Sequence, residues 1–232
     1  MSQSFSPSQR SPVDDRFWGW PDRRTLHTFA CAGLAGACWF VVIFGGADFV
    51  TSRRTLRVPV NFEAEQRIPL MPVAVWVYMT MYALLLMAPF VLRSQGRLIA
   101  LAATHAVIVF VAGVCFLLVP AALAYPAAVG LPGRGPTAAL YRLADWLNLD
   151  YNLLPSLHVA LTVSCVAVYA PHANRTGRLV LWSWAIAVAL STIFTHFHHV
   201  LDAVSGFALG VAGAHVVYGR IAASQPGAHW LR

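Results

Sequence analysis

Residues 72–124 read PVAVWVYMTMYALLLMAPFVL-RSQGR-LIALAATHAVIVFVAGVCFLLVPAALA, two long apolar runs joined by a five-residue basic turn. Neither run contains an Asp, Glu, Lys or Arg, and a span of about 20 apolar residues is what an α-helix needs to cross a bilayer. The turn Arg93–Arg97 is too short for anything but an antiparallel return. The pair therefore reads as a transmembrane hairpin, with spans at Pro72–Leu92 and Leu98–Ala124. Working outward from it, Phe29–Val50 is a third such run, and Ser156–Ala170, Leu179–Thr195 and Val200–Tyr218 follow. The expected fold is all-α and integral to the membrane, a bundle of six transmembrane helices over residues 29–220. It is preceded by a cytosolic, partly disordered segment (1–28, with 1–15 disordered) and followed by a short cytosolic tail (221–232).

Composition supports that solvent. The chain is 58% hydrophobic and 11% charged, with a mean hydropathy of +0.62, whereas soluble domains carry about 25% charged residues. So few charges cannot cover a water-facing surface. The net charge of +7 comes from arginine alone, since the sequence has no lysine. The arginines are scattered over loops and form no stripe, which argues against nucleic-acid binding. Cys31, Cys38, Cys115 and Cys165 lie in apolar runs, as small buried hydrophobes do. The polar, Ser- and Pro-rich start is not a cleavable signal peptide.

Basic residues concentrate on the cytoplasmic side of membrane proteins. With the N-terminus inside, ten arginines fall on the cytoplasmic side and six on the other. Both termini are then cytoplasmic, and the loops 51–71, 125–155 and 196–199 face outward. Within 125–155, the stretch Thr137–Leu149 is amphipathic and reads as a helix lying at the interface. Trp18, Trp20, Trp76 and Trp146 suit interfacial belts, and the small residues Gly206, Gly210, Gly213 and Ala214 suit close helix packing.

Ionisable groups at membrane depth are costly and therefore functional candidates. Pro155-Ser156-Leu157-His158 opens the fourth span. Proline suits a first helical turn, the N–H groups after it form an anion site, and His158 can exchange a proton near neutral pH. His198 and Asp202 are four residues apart at the start of the sixth span, so a helix there puts them on one face. A carboxylate on one imidazole nitrogen leaves the other free for nucleophilic attack. The plainer readings are a loop histidine for His158 and a helix cap for Asp202. His196, His198 and His199 also suggest a metal cluster, but no Cys or carboxylate set completes one, and neither metal nor other cofactor is expected. His105 and His215 read as structural.

Taken together, Pro155-Ser156-Leu157-His158 and Ser191-Thr192, with His198 after five intervening residues and Asp202 after three more, resemble the second and third motifs of the type 2 phosphatidic acid phosphatase superfamily. The usual spellings there are Pro-Ser-Gly-His and Ser-Arg-x5-His-x3-Asp. The resemblance implies His198 as the nucleophile that forms a phosphohistidine, Asp202 as its orienting carboxylate and His158 as the acid for the leaving alcohol. Ser156, Leu157, Ser191 and Thr192 would bind substrate. Leu157 replaces the usual glycine, Thr192 replaces the phosphate-clamping arginine, and the lysine-containing first motif is absent. Those departures resemble the branch that includes inositol phosphorylceramide synthase, in which an Ile-Pro-Φ-x-Pro segment like Ile68–Pro72 also occurs. The branch moves a phosphorylated headgroup between lipids. A phosphodiester has one negative charge and a monoester nearly two, so a site with fewer cations suits a diester; Arg134 and Arg142 are the candidate substitutes.

The expected activity is thus metal-independent phosphatase or phosphotransferase chemistry on a phospholipid or related lipid phosphate. The site would lie at the outer face of a bacterial inner (cell) membrane, and headgroup transfer is favoured. A plain phosphatidate or polyprenyl-pyrophosphate phosphatase, a transporter or channel relaying protons through His and Asp, and a non-catalytic relative are the alternatives. Lipid identity, acceptor and oligomeric state are left open by the residues.

Overall fold

A computed structural model describes residues 17–125, 133–149 and 151–224; the expected disordered tail 1–15 and parts of the outer loop and C-terminal tail lie outside them. The chain is mostly helical. Among the described residues, five helices are long and apolar enough to cross a membrane: α1 (Arg23–Ser52), α2 (Pro72–Leu92), α3 (Gln95–Leu118), α6 (Arg175–Phe194) and α7 (Val200–Ala223). Between α3 and α6 lie the amphipathic α4 (Pro136–Asn148) and the shorter apolar α5 (Leu157–His172).

The helix α5 is the hub. In Leu157–Tyr169 every residue except His158 and Ala167 is buried, as expected of a helix apolar on all sides. Its neighbours reach it through contacts the sequence sets up locally. A Cβ at Gly206 of α7 would lie 2.4 Å from the Ser156 carbonyl oxygen, and one at Gly210 would lie 2.5 Å from that of Ala160. Only glycine permits that backbone approach. A Cβ at Gly213 would likewise meet the Ile108 side chain of α3 at 2.7 Å. Tyr169 donates to the Leu84 carbonyl of α2 at 3.1 Å, and His105 of α3 lies 3.1 Å from the Ser164 hydroxyl through Nε2, so its polar group is satisfied by a neighbouring helix.

Several boundaries differ from the hydropathy reading, each for a local reason. The helix α1 starts at Arg23, ahead of Phe29, because the Asp22 side chain accepts the Thr25 N–H at 2.7 Å and caps it. The third span stops at Leu118 and not at Ala124. Pro120 has no N–H to continue a helix and forces the preceding residue out of the helical region; Val119 accordingly has φ −122° and ψ 83°. The chain then forms a short parallel pair between β1 (Val58–Pro59) and β2 (Ala121–Ala122), which joins the segment after α1 to the segment after α3. Asn174 caps α6 four residues before the apolar run starts at Leu179.

Tryptophans mark both ends of the bundle. Trp18 stacks on Phe90 at 4.6 Å and the Gly19 N–H donates to the Phe90 carbonyl at 3.1 Å, tying the start of the chain to the end of α2. At the opposite end, Trp76 donates to the Thr137 hydroxyl at 3.1 Å and Trp146 is exposed.

Candidate functional site

The two motif segments meet at the start of α5. Ser156 is the N-cap of α5 and its hydroxyl accepts the Val159 N–H at 3.5 Å. Its own N–H donates to the Asp202 carbonyl at 2.9 Å, so one backbone bond joins the segment of His158 to that of Asp202. Gly206, one turn further along α7, makes room for that bond.

The turn between α6 and α7 carries His198. It is built by the Thr192 carbonyl, which accepts the N–H groups of Phe197 and His198, each at 3.1 Å. His196 takes a left-handed conformation (φ 59°), which is uncommon outside glycine and lets the chain reverse between two helices. Tyr141 of α4 donates to the Thr195 carbonyl at 2.6 Å, and Phe197 packs between Tyr78 and Tyr141 at ring separations of 5.1 and 4.8 Å. Burial, with Asp145 nearby, pushes the Tyr141 phenol up to about 12, so it stays a donor to that carbonyl.

His198 Nδ1 lies 3.4 Å from Asp202 Oδ2, with both side chains buried. That is just beyond a good hydrogen bond. His198 Nδ1 and Asp202 Oδ1 have no hydrogen-bond partner, while Asp202 Oδ2 accepts the His199 N–H at 2.8 Å. Asp202 is therefore both an N-terminal cap of α7 and the carboxylate beside the histidine. The two readings of this residue do not compete.

His158 Nδ1 is 2.9 Å from the Tyr78 hydroxyl, which donates its proton to Asn148 Oδ1 at 2.8 Å. With that proton committed, the hydroxyl accepts from His158, which assigns the Nδ1–H tautomer. Tyr78 also stacks on the imidazole at 3.9 Å. His158 Nε2 is left buried with no partner. His158 and His198 both line one cavity of about 500 Å³ together with Leu157, Asn148 and Asn152. Away from that end its wall is almost wholly apolar.

A second carboxylate stands behind the turn. Glu65 is buried and its Oε2 accepts from His199 Nδ1 at 2.8 Å and from the Val200 N–H at 3.2 Å. His199 Nε2 in turn accepts the Ala124 N–H at 3.1 Å, so that ring is neutral and fully bonded. Tyr125 stacks on His196 and His199 at 4.0 and 4.6 Å. Its phenol is pushed up by burial and by the nearby Glu65 and Asp202 carboxylates. His196 is held below the usual histidine value mainly by burial, and its Nε2 lies 3.0 Å from the Ile68 carbonyl.

The expected substrate-binding residues divide. Leu157 lines the cavity. Ser156 is buried and caps its helix. The Ser191 and Thr192 hydroxyls turn back to the Val188 and Ala189 carbonyls, each at 2.7 Å, so Thr192 serves the site through its backbone. Arg134 and Arg142 are exposed, and among the described residues no arginine lines the cavity. Nor, among those residues, do three His, Cys, Asp or Glu side chains group as metal ligands. Sequence reasoning missed Glu65, Tyr78, Asn148 and Asn152. Glu65 had one signal, being one of the only two glutamates in the chain.

No family profile matches the sequence, and no solved structure matches the fold.

Proposed function

We propose that the chain is a six-span membrane enzyme of the type 2 phosphatidic acid phosphatase kind, with α5 as its shortest span. It transfers phosphoryl groups on a phospholipid or related lipid phosphate through a phosphohistidine. The observation that carries the reading is the buried His198–Asp202 pair, brought beside His158 at the polar end of an apolar cavity. A long apolar cavity suits a lipid, and a carboxylate-oriented histidine facing an unpartnered imidazole nitrogen suits nucleophile and acid.

In the proposed reaction His198 Nε2 attacks phosphorus, and the bond from phosphorus to the leaving oxygen breaks. His158 enters the step as the imidazolium, gives its Nε2 proton to the leaving alcohol and returns to the Nδ1–H tautomer. Asp202 holds the Nδ1–H of the phosphorylated ring and balances the positive charge that develops there. First-turn N–H groups of α5, which have no partner within the helix, face the phosphate oxygens. An incoming alcohol or water then gives its proton to His158 and takes the phosphoryl group. Headgroup transfer is favoured over hydrolysis because among the described residues no arginine lines the cavity, which suits the lower charge of a diester. The arginine distribution supports cytoplasmic termini and a site at the outer face of the cell membrane.

The test is a phosphoenzyme trap with labelled lipid phosphate. Wild-type protein should yield an acid-labile, base-stable phosphoprotein, and His198→Ala should yield none. Asp202→Asn should slow turnover by about 10²–10⁴-fold. Wild-type turnover by His198→Ala would overturn the mechanism.

A further inference from the structure

The cavity at the catalytic histidines is long and narrow. Its wall on α1 runs from Phe44, beside the site, to Phe29, about 22 Å at the rise of an α-helix. The opposite wall is α2 from Met81 to Ala88 and α3 from Val109 to Leu98. The polar groups Asn148, Asn152, His158 and His198 gather at its head and belong to the site, and below them the described lining adds only the polar atoms of Tyr82, His105 and Trp39. That lining is almost wholly apolar along a length of about 22 Å, which matches an extended hydrocarbon chain.

The helix α1 is built to leave this space. It is fixed at one end by its Asp22 cap and at the other by Asn152, whose amide donates to the Phe44 carbonyl at 2.7 Å. Between them Ala32, Gly33, Gly36 and Ala37 face the cavity, and a Cβ at Gly33 or Gly36 would meet nothing within 4 Å. Glycines with no neighbour to approach are not packing devices; here they widen a channel. The depth also exceeds half of a bilayer core of about 30 Å, so an occupant reaching the floor passes the midplane.

We infer that the cavity seats one unbranched alkyl chain of the substrate, and that its floor at Phe29, Ala32 and Leu98 sets the longest chain accepted. This rests on the phosphoryl-transfer reading, which puts the chain's phosphorylated end at His198. A second chain, where the lipid has one, stays in the bilayer. Extended carbon chains advance a little over 1 Å per bond, so about 22 Å holds about 16–18 carbons. Because bilayer and slot are equally apolar, the slot contributes selection by fit and not affinity from leaving water. The expected signature is a length cut-off.

Two measurements on the full-length protein in nanodiscs test this. The first photolabels wild type with a non-hydrolysable sixteen-carbon alkyl phosphonate carrying a terminal diazirine, and maps the adduct by mass spectrometry. Adducts should fall around Phe29, Ala32 and Leu98. Adducts on the bilayer-facing residues Leu34 and Val42 instead would overturn the slot. The second compares turnover of an alkyl-phospholipid series by Gly33→Phe and Gly36→Phe. Gly36 lies about 12 Å below Phe44 and Gly33 about 16 Å. The cut-off should therefore drop to roughly 8–10 carbons in the first case and 12–13 in the second, with at least a tenfold loss on sixteen-carbon substrate. An unchanged length profile in both variants would overturn the slot while leaving the reaction standing. Floor adducts in a wild-type protein that turns over no lipid phosphate would do the reverse.

Discussion

Replacing Gly206 by alanine tests whether the helix crossing holds the catalytic groups in place. The added Cβ would sit 2.4 Å from the Ser156 carbonyl oxygen, about 1 Å inside an ordinary van der Waals contact. The obstacle is backbone, so α5 and α7 must part by roughly that distance. The bond from the Ser156 N–H to the Asp202 carbonyl, now 2.9 Å, would stretch out of range, and the His198–Asp202 separation of 3.4 Å would lose its fixed frame. Overpacking of this kind costs about 1–3 kcal/mol, and a misplacement of about 1 Å at reacting groups lowers turnover on the order of 100-fold.

Thermal unfolding in nanodiscs and phosphate transfer from a lipid donor measure the two effects separately. Gly210→Ala is the comparison that separates transmission from general loosening. Its Cβ would meet the Ala160 carbonyl oxygen at 2.5 Å, an equal overlap one turn further from Ser156. It should lose similar stability but no more than about tenfold in turnover. Gly46→Ala, with open space around the new methyl, should match wild type in both. Equal activity losses in the two packed variants would refute positioning through the crossing. Wild-type behaviour of Gly206→Ala in both assays would refute the close approach itself.

Glu65→Ala leaves His199 Nδ1–H and the Val200 N–H buried without an acceptor, which costs about 2–3 kcal/mol. Glu65→Gln keeps an acceptor and should cost less than about 1 kcal/mol by the same measure. Hydrogen exchange at the start of α7 should accelerate in the alanine variant alone, and equal protection in both would show the contact to be idle. His196 should make stability pH-dependent. Its folded-state value is lowered, so the unfolded chain binds more protons below about pH 6.5. Stability is then full above that pH and falls as the solution is acidified, and melting temperatures from pH 7.5 to 5.0 should follow. His196→Gln, which keeps a donor for the Ile68 carbonyl, should flatten the curve; an unchanged slope would place the titration elsewhere.

The helical content was legible because a residue's cost in lipid depends on that residue alone, and runs such as 72–92 contain nothing that lipid rejects. The ends were less legible, since they depend on capping. Asp22 and Asn174 extend helices into polar sequence that hydropathy discards, and Pro120 ends one inside a run that hydropathy keeps. The small residues of α7 were read correctly as packing, because glycine at four-residue spacing has few other uses in an apolar helix. The His198–Asp202 pairing was legible for a related reason, being a contact fixed by helix periodicity. Tyr78 reaches His158 across 80 residues of chain and Asn148 across 70, and no local pattern carries that information. The Ser191 and Thr192 hydroxyls, expected to contact substrate, donate to the carbonyls one turn back, the second option open to a hydroxyl in an apolar helix.

The charges around the site suggest how the proposed reaction would proceed with no fixed cation among the described residues. Two buried carboxylates, Asp202 and Glu65, stand at the N-terminus of α7, and His199 between them is neutral by its bonding. Both carboxylates are spent on N–H groups of that helix start, Asp202 on His199 and Glu65 on Val200. The helix end is thereby already satisfied by protein anions and is not free to attract a phosphate. The start of α5 differs, because its cap is the neutral Ser156 hydroxyl. Of the two helix ends that meet at the cavity, only α5 keeps its positive end uncompensated. In the proposed reaction a phosphate drawn there would arrive beside the unpartnered Nε2 of His158. The Asp202 carboxylate then lies across from it, with His198 between. A fixed arginine would hold the anion more tightly, but a helix end binds a singly charged diester without so deep a ground-state well, which leaves more of the interaction for the transition state.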